Sequence, residues 1–170
     1  MQPTLKPSRP NFSSGPCVKP KDWSFEKLQG AHIGRSHRST DAMGRLNGIW
    51  QLLREILELP KDYHIAMVPG SATGAMETLF WNLLGERPVD VIAQDVFSAR
   101  WKLDIVDSLK IQSRSFEALH GKLPDISEID FNKDVVLNWN GSTSGVRFPE
   151  NVLPHRRGGL VIADVTSAIF

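Results

Sequence analysis

The sequence predicts an α/β fold in which a mostly parallel sheet is flanked by helices. Short apolar runs rich in β-branched residues are typical of buried strands. Segments whose apolar residues recur at helical spacing lie between those runs. Strands that alternate with helices form βαβ units, in which the crossover helices cover the faces of a parallel sheet. The alternation along this chain therefore indicates that fold class.

Apolar spacing, capping residues and turn residues place the individual elements. The predicted helices are Asp22–Gln29, Thr40–Leu59, Ala75–Leu84, Ser98–Leu109 and a short one at Asp125–Ile129. The predicted strands are His64–Val68, Val89–Ala93, Ile111–Phe116, Asp134–Trp139 and Leu160–Ala163. Asp22 is the expected N-cap of the first helix, and Gly30 is its stop. Thr40 or Asp41 is the expected N-cap of the second helix.

The longest predicted helix has one apolar stripe that should be buried. Its members follow the i, i+3, i+4, i+7 spacing and are Leu46, Ile49, Trp50, Leu53, Ile56 and Leu57. In the next helix the expected buried residues are Met76, Leu79, Phe80 and Leu83. Both helices are therefore expected to pack against the rest of the fold.

Length and charge restrict the class of protein. A chain of 170 residues suits one domain, or one domain with a tail. Its 20 Lys and Arg residues balance 19 Asp and Glu residues, which argues against nucleic-acid binding by phosphate neutralisation. No apolar run approaches the roughly 18 residues that a membrane helix needs. Cys17 is the only cysteine, so an internal disulfide is excluded, and the histidines show no metal-ligand spacing.

The first twenty residues contain five prolines and predict an extended arm, residues 1–20, ahead of a domain over residues 21–170. The arm is basic but has no apolar stretch, so it does not resemble a secretory signal. A cytoplasmic location is therefore expected. The chain stops at Phe170, just after the last predicted strand, which indicates a piece of a longer protein.

Ligands of open parallel sheets bind beyond the carboxyl ends of the strands. After the first predicted strand, Gly70–Gly74 opens into a helix and offers backbone N–H groups to an anion. Phe97 follows the second strand, where it would stack on a flat ring or pack in the core. Ser142 lies in a turn rich in hydroxyl groups, and Asp164 ends the last strand, where it would meet a cation or cap a turn.

A basic cluster precedes the long helix. Arg35, His37 and Arg38 occupy three of four consecutive positions, a pattern that suits a phosphate or a carboxylate as well as a solvated loop. No Gly-Lys-Ser/Thr follows the glycine turn, and a dinucleotide-binding fingerprint is absent. The sequence therefore indicates an anion site that belongs to neither of those nucleotide-binding types.

The order of these signals resembles fold-type I pyridoxal-phosphate enzymes, and in particular the phosphoserine aminotransferase family. The stretches that carry the resemblance are Arg9–Pro16, Gly34–Ser39, Val68–Gly74, Trp139–Gly145 and Asp164–Ala168. Ser-Ser-Gly-Pro in the first and Ser-His-Arg-Ser in the second are the most specific. The resemblance covers the chain from about Lys6 and implies the N-terminal part of the large cofactor domain.

The resemblance implies a role for each matched residue. Ala72 and Thr73 would bind the phosphate of pyridoxal 5'-phosphate, Phe97 would stack on its ring, Ser142 would bond its 3-oxygen, and Asp164 would pair with its protonated nitrogen. Ser14, His37 and Arg38 would bind the substrate, partly across a dimer interface. Many relatives have arginine where Thr73 stands, tryptophan in place of Phe97, and threonine in place of Ser142.

The implied reaction moves an amino group from glutamate to 3-phosphohydroxypyruvate and yields phosphoserine and 2-oxoglutarate, in serine biosynthesis and also pyridoxine biosynthesis. The complete enzyme is expected to be a cytoplasmic homodimer that binds neither nucleic acid nor a membrane. The family's Schiff-base lysine follows the strand-end aspartate, but all nine lysines of this chain precede Asp164. The small C-terminal domain is also missing, so the chain by itself is expected to be inactive.

The sequence leaves two alternatives open. One is another fold-type I enzyme, such as a different aminotransferase or a desulfurase, for which the basic cluster would have no phosphorylated substrate. The other is a non-catalytic module that binds phosphate or a partner protein, which the missing lysine favours. Retention of the cofactor contacts argues against the second alternative.

Overall fold

The computed structural model describes residues 19–31, 34, 36–119, 121–154 and 157–169. Backbone contacts divide the chain into two compact units, residues 1–65 and residues 66–170. The predicted extended arm lies outside the described residues except for Lys19 and Pro20. Within the described ranges, no helix is both long enough and apolar enough to cross a membrane.

The first element described in the first unit is a single 3-10 turn at Phe25–Leu28. The longer helix predicted from Asp22 to Gln29 is wrong, because Ser24 rather than Asp22 is the N-cap residue. The Asp22 carboxylate instead pairs with the ammonium group of Lys27. Trp23 packs edge-on against Phe25, with ring centroids 5.0 Å apart. Local contacts therefore hold this short segment.

Helix α1 spans Thr40–Ile56, and its N-cap is Ser39, whose hydroxyl accepts a hydrogen bond from the Ala42 N–H group at 3.3 Å. The predicted caps, Thr40 and Asp41, are therefore wrong by one or two residues. A serine hydroxyl is among the best acceptors for the free N–H groups of a first helical turn. At the other end, helical hydrogen bonding stops before Pro60.

The apolar stripe of α1 is less buried than its spacing predicts. No residue of this helix is fully buried, and Ile49 and Ile56 are 45% and 62% exposed. Leu46, Trp50 and Leu53 are half-buried. Helical spacing identifies the face that favours burial, but it does not identify what covers that face.

The strand predicted at His64–Val68 is wrong. This segment has no regular secondary structure, and His64 and Met67 are exposed. It also crosses the boundary between the two units, which lies after Ile65. A short apolar run cannot show that a neighbouring strand is available for pairing.

The second unit contains a four-stranded sheet. The strands are β1 Val89–Ala93, β2 Ser113–Glu117, β3 Asp134–Asn138 and β4 Val161–Asp164. Their order is β2-β1-β3-β4, and every neighbouring pair is parallel. The predicted parallel α/β class is confirmed, with β2 and β4 displaced from their predicted bounds by one or two residues.

Two helices of the second unit begin earlier than predicted. Helix α2 spans Ser71–Leu83, and helix α3 spans Val96–Leu103 before a π-helical turn at Asp104–Ser108. The short helix predicted at Asp125–Ile129 is wrong. The Asp125 carboxylate accepts a hydrogen bond from the Ser127 N–H group at 2.9 Å, which stabilises a turn in place of a helix.

The sheet separates two hydrophobic clusters. The first lies under α2 and α3 and contains Met76, Phe80, Val89, Val91, Trp101, Ile105, Val136 and Ile162. Phe80 and Trp101 pack edge to face with centroids 6.0 Å apart. Of the apolar face predicted for α2, Met76 and Phe80 are buried, whereas Leu79 and Leu83 are 37% and 46% exposed. The helices therefore cover this face of the sheet through only part of their apolar surface.

The opposite face carries the second cluster, built on Ile92, Val135, Leu137 and Phe148. Half-buried side chains packed against it come from the loop segments around residues 123–131 and 152–153. Among the described residues this face is covered by loops in place of helices. The helical face is therefore the one that α2 and α3 cover.

A charged residue is buried within β1. The Asp90 side chain is completely buried and receives two hydrogen bonds from Arg114, at 2.9 and 2.6 Å, and one from the Asp130 N–H group at 3.0 Å. Burial by itself raises the pKa of Asp90. The Arg114 and Asp130 hydrogen bonds and the charges of Arg114 and Lys133 outweigh it, so the pKa lies below its usual value.

Candidate functional site

The candidate site lies at the carboxyl edge of the sheet. Because all four strands are parallel, Ala93, Glu117, Asn138 and Asp164 end at this one edge. Polar side chains that follow β1, β3 and β4 are therefore neighbours, as expected from the sequence. The glycine turn differs from the expectation, since no strand precedes it, but its helix α2 packs against β4.

The glycine turn leaves backbone donors at the N-terminus of α2. Gly70 is the N-cap residue in the left-handed region, with φ 95°, and Ser71 has φ 64°. No side chain caps this helix. The Gly74 N–H group donates to the Gly70 carbonyl at 2.9 Å, so the N–H groups of Ala72 and Thr73 precede the first helical hydrogen bond. Such a terminus attracts an anion through its free donors and its positive dipole end.

Only glycine fits at position 74. A Cβ atom there would lie 2.4 Å from the Pro69 carbonyl oxygen, which belongs to the backbone. The Pro69 carbonyl group therefore lies against the first turn of α2. This close approach requires glycine in the same turn that carries the free N–H groups of Ala72 and Thr73.

Asp164 is the last residue of β4 and lies on the helical face of the sheet. Ile162, two residues earlier, packs in the cluster with Met76 and Phe80 of α2. Residues two apart in a strand point to the same face, so the Asp164 side chain projects toward the face that α2 covers. It is half-buried, and its Oδ1 accepts a hydrogen bond from the Thr166 N–H group at 3.0 Å.

Phe97 stands in the first turn of α3, directly after the carboxyl end of β1. Its side chain is 46% exposed, so it is not part of the core. Helix α3 packs against β1 and β3, which places this ring at the same edge as Asp164. An exposed aromatic ring at a strand end is available to stack on a flat ligand.

Ser142 lies in a tight loop after β3. The Gly141 N–H group donates to the Val146 carbonyl at 2.6 Å, and the Gly145 N–H group donates to the Gly141 carbonyl at 2.8 Å. Ser142 is exposed on this loop. It lines an open pocket of about 420 Å³ whose other lining residues include Asn140, Arg147 and Ser167.

The structure describes only two of the three residues expected to bind substrate. Ser14 lies outside the described residues. His37 and Arg38 belong to the first unit and are exposed in the turn before α1, where the Arg38 N–H group donates to the Ser36 hydroxyl at 3.2 Å. Their side chains are therefore available to an anion in solvent.

A buried polar cluster at the same edge was not predicted from the sequence. Gln94, Asp95 and Asn138 are 1%, 7% and 3% exposed, and Ser98 is completely buried. Asp95 and Ser98 form a reciprocal capping box at the start of α3. The sequence did contain a signal for this cluster, because the polar residues Gln94 and Asp95 directly follow an apolar strand.

The part of the chain described here contains no group of three His, Cys, Asp or Glu side chains arranged to bind a metal. The edge instead has an exposed aromatic ring on α3 and a carboxylate on β4, and the carboxylate faces the side of the sheet that α2 covers. The free N–H groups at the N-terminus of α2 are called the anion seat below. A flat cationic ring that carries an anionic group would be complementary to this arrangement.

Comparison with known proteins identifies the relatives of the chain. No protein-family model matches it. Two proteins named phosphoserine aminotransferase, from Methanosarcina mazei and Methanosarcina barkeri, are each 47% identical to it over 172 residues. Each alignment covers 100% of this chain and 46% of the relative. The chain thus spans about half the length of the curated relatives it matches.

A solved phosphoserine aminotransferase, studied for radiation damage of its Schiff base, has the same fold. The superposition has a TM-score of 0.65 and covers 81% of this chain and 42% of the solved chain. At 22% identity this match supports the fold alone, whereas the two Methanosarcina relatives share nearly half of the residues along the whole chain. The chain is a homologue of the phosphoserine aminotransferases.

Proposed function

We propose that this chain forms part of the pyridoxal-phosphate domain of a phosphoserine aminotransferase. The observation that supports the proposal is that Asp164 lies on the sheet face covered by α2, a helix whose N-terminus has no side-chain cap. A carboxylate and a phosphate seat on opposite faces could not bind one small ring at both ends. The 47% identity to proteins of that name supports the same conclusion.

The proposed contacts fit this cofactor. The N–H groups of Ala72 and Thr73, with the Thr73 hydroxyl, hold the phosphate, and the exposed ring of Phe97 stacks on the pyridine. The Ser142 hydroxyl bonds the 3-oxygen. The Asp164 carboxylate keeps the ring nitrogen protonated, because a neighbouring negative charge favours the charged form. When bound, the cofactor supplies an electron sink for the α-carbon of an amino acid.

The proposed substrates are glutamate and 3-phosphohydroxypyruvate, with 2-oxoglutarate and phosphoserine as products. Ser14 and Arg38 hold the substrate carboxylate, and His37 with Arg38 holds the substrate phosphate. Arginine suits both anions because its guanidinium group offers two parallel donors. The whole protein is proposed to act as a cytoplasmic homodimer.

The 170-residue chain is proposed to bind the cofactor without catalysing amino transfer. The chain corresponds to 46% of the length of its relatives. None of its nine lysines follows Asp164 in the sequence. A lysine is the group that such enzymes use for covalent attachment and proton transfer.

Cofactor titration tests the proposal. Purified chain is titrated with pyridoxal 5'-phosphate, and binding is followed by the absorbance of the aldehyde and by protein fluorescence. We expect saturable binding that Asp164→Asn weakens about tenfold, the value of one charge-assisted hydrogen bond. Asp107→Asn, at an exposed aspartate outside this edge, is the matched control. Equal affinity for the wild-type chain and Asp164→Asn would refute the role of Asp164.

A further inference from the structure

We propose that Asp95 is a positioning residue, whose buried carboxylate joins the start of α3 to the end of β3 and so fixes the strand end that carries Asp164. The consequence for cofactor binding rests on the proposed function. The mechanical link between the two elements does not, and it is testable without any cofactor.

The backbone pairing of β1 with β3 stops short of the carboxyl edge. Its last registered pair is Val91 with Val136, whereas β3 and β4 stay paired as far as Asn138 with Asp164. Beyond Val91 the two central strands are linked by side chains. The Gln94 amide donates to the Asn138 carbonyl at 2.6 Å, and Asp95 contacts the Asn138 amide.

The contacts of Asp95 reach two elements at once. Its Oδ1 accepts hydrogen bonds from the Ser98 N–H and hydroxyl groups, both at 2.9 Å. The same oxygen accepts a longer hydrogen bond, 3.5 Å, from the Asn138 side-chain amide. One carboxylate therefore connects the first turn of α3 with the last residue of β3.

The Asp95 side chain contacts more than the first turn of α3. The second carboxylate oxygen of Asp95 is buried and has no hydrogen-bond partner among the residues the structure describes. It lies against Gly141, where an added Cβ would be 3.6 Å away. A helix cap needs only one acceptor oxygen from the side chain. The Asp95 side chain therefore lies against the loop after β3 as well as against the first turn of α3.

The link extends to the proposed ring contacts. Asn138 is the registered neighbour of Asp164, and the Trp139 N–H group donates to the Asp164 carbonyl at 2.8 Å. Phe97 stands two residues after Asp95 on α3. Asp95 thus connects the element that carries the aromatic ring with the strand end that carries the carboxylate.

Hydrogen exchange measured by mass spectrometry on the intact 170-residue chain tests the link. We expect Asp95→Ala to speed exchange about tenfold in residues 138–146, which are held through Asn138. Ser98→Ala, the matched control, removes the other half of the capping box and should loosen only the start of α3. Asp95→Asn should behave as wild type, because asparagine caps equally well and its oxygen can accept from Asn138.

If Asp95→Ala speeds exchange at the start of α3 and leaves residues 138–146 unchanged, Asp95 is only a cap and the proposal is overturned. If Asp95→Ala does not fold, Asn138→Leu provides the same test, since it removes the donor and leaves the cap intact. Unchanged exchange at residues 139–146 in that variant likewise overturns the proposal.

Titration with pyridoxal 5'-phosphate then tests the consequence for the site. Asp95→Ala should lower the affinity about tenfold, with recovery in Asp95→Asn. Absence of binding to the wild-type chain would refute the proposed function, while the exchange experiment would still decide the link. Binding to wild type together with equal binding to Asp95→Ala would overturn the positioning role and leave the proposed function standing.

Discussion

Replacing Gly74 by alanine tests the turn on which the anion seat depends. The new Cβ would lie 2.4 Å from the Pro69 carbonyl oxygen, roughly 1 Å inside van der Waals contact. The backbone fixes the position of the Cβ, and the oxygen belongs to the backbone, so no side-chain rotation relieves the clash. Overpacking of this kind costs about 1–3 kcal/mol, and the better helix propensity of alanine returns only about 1 kcal/mol. The difference is a net loss of up to about 2 kcal/mol in the free energy of unfolding.

Gly48→Ala is the matched control, because Gly48 lies within α1 and its added Cβ would meet nothing within 4 Å. The same substitution should stabilise that helix by up to about 1 kcal/mol. Urea unfolding followed by circular dichroism measures both effects. Titration with pyridoxal 5'-phosphate should also show weaker binding for Gly74→Ala, since the Pro69–Ala72 turn must move. A Gly74→Ala chain as stable as wild type, with unchanged binding, would refute the close approach inferred here.

Three further outcomes are expected. Because its pKa is lowered in the folded chain, Asp90 stabilises the fold above its unfolded pKa of about 4 and loses that contribution as pH falls through the lower folded value. Arg114→Gln should therefore unfold more easily in urea at pH 7, with a smaller difference from wild type at pH 3; an equal difference at both values would contradict this reasoning. Phe80→Ala should cost about 3–5 kcal/mol, since Phe80 is 1% exposed against Trp101, and a loss below about 1 kcal/mol in the same assay would contradict that packing. In a full-length protein, His37→Ala should weaken binding of phosphoserine far more than binding of glutamate by calorimetry, and equal losses would favour an unphosphorylated substrate.

The sheet was predictable because its strands carry their own signal. Val89–Ala93 and Asp134–Asn138 are mostly apolar and buried along their whole length, and the sequence located both to within one residue. The helix starts were located less well. Ser71 enters α2 with a positive φ, and Asp95 begins α3 through a capping box with Ser98, neither of which periodicity reveals.

Errors arose where a segment depends on what surrounds it. The segment His64–Val68 is as apolar as the strands of the sheet, yet no strand pairs with it in the described structure. The stripe of α1 has helical spacing, but Ile56 is exposed. At the site, Phe97, Ser142 and Asp164 could be placed at strand ends from order alone. The network through Asp95 could not, because it joins residues 43 positions apart.

A crystal structure of the chain with bound pyridoxal 5'-phosphate would decide whether Asp164 and the N-terminus of α2 bind one ligand. We expect the phosphate on the N–H groups of Ala72 and Thr73, and an Asp164 carboxylate oxygen within about 3.2 Å of the ring nitrogen. A phosphate bound elsewhere, or a ring nitrogen with no contact to Asp164, would contradict this expectation.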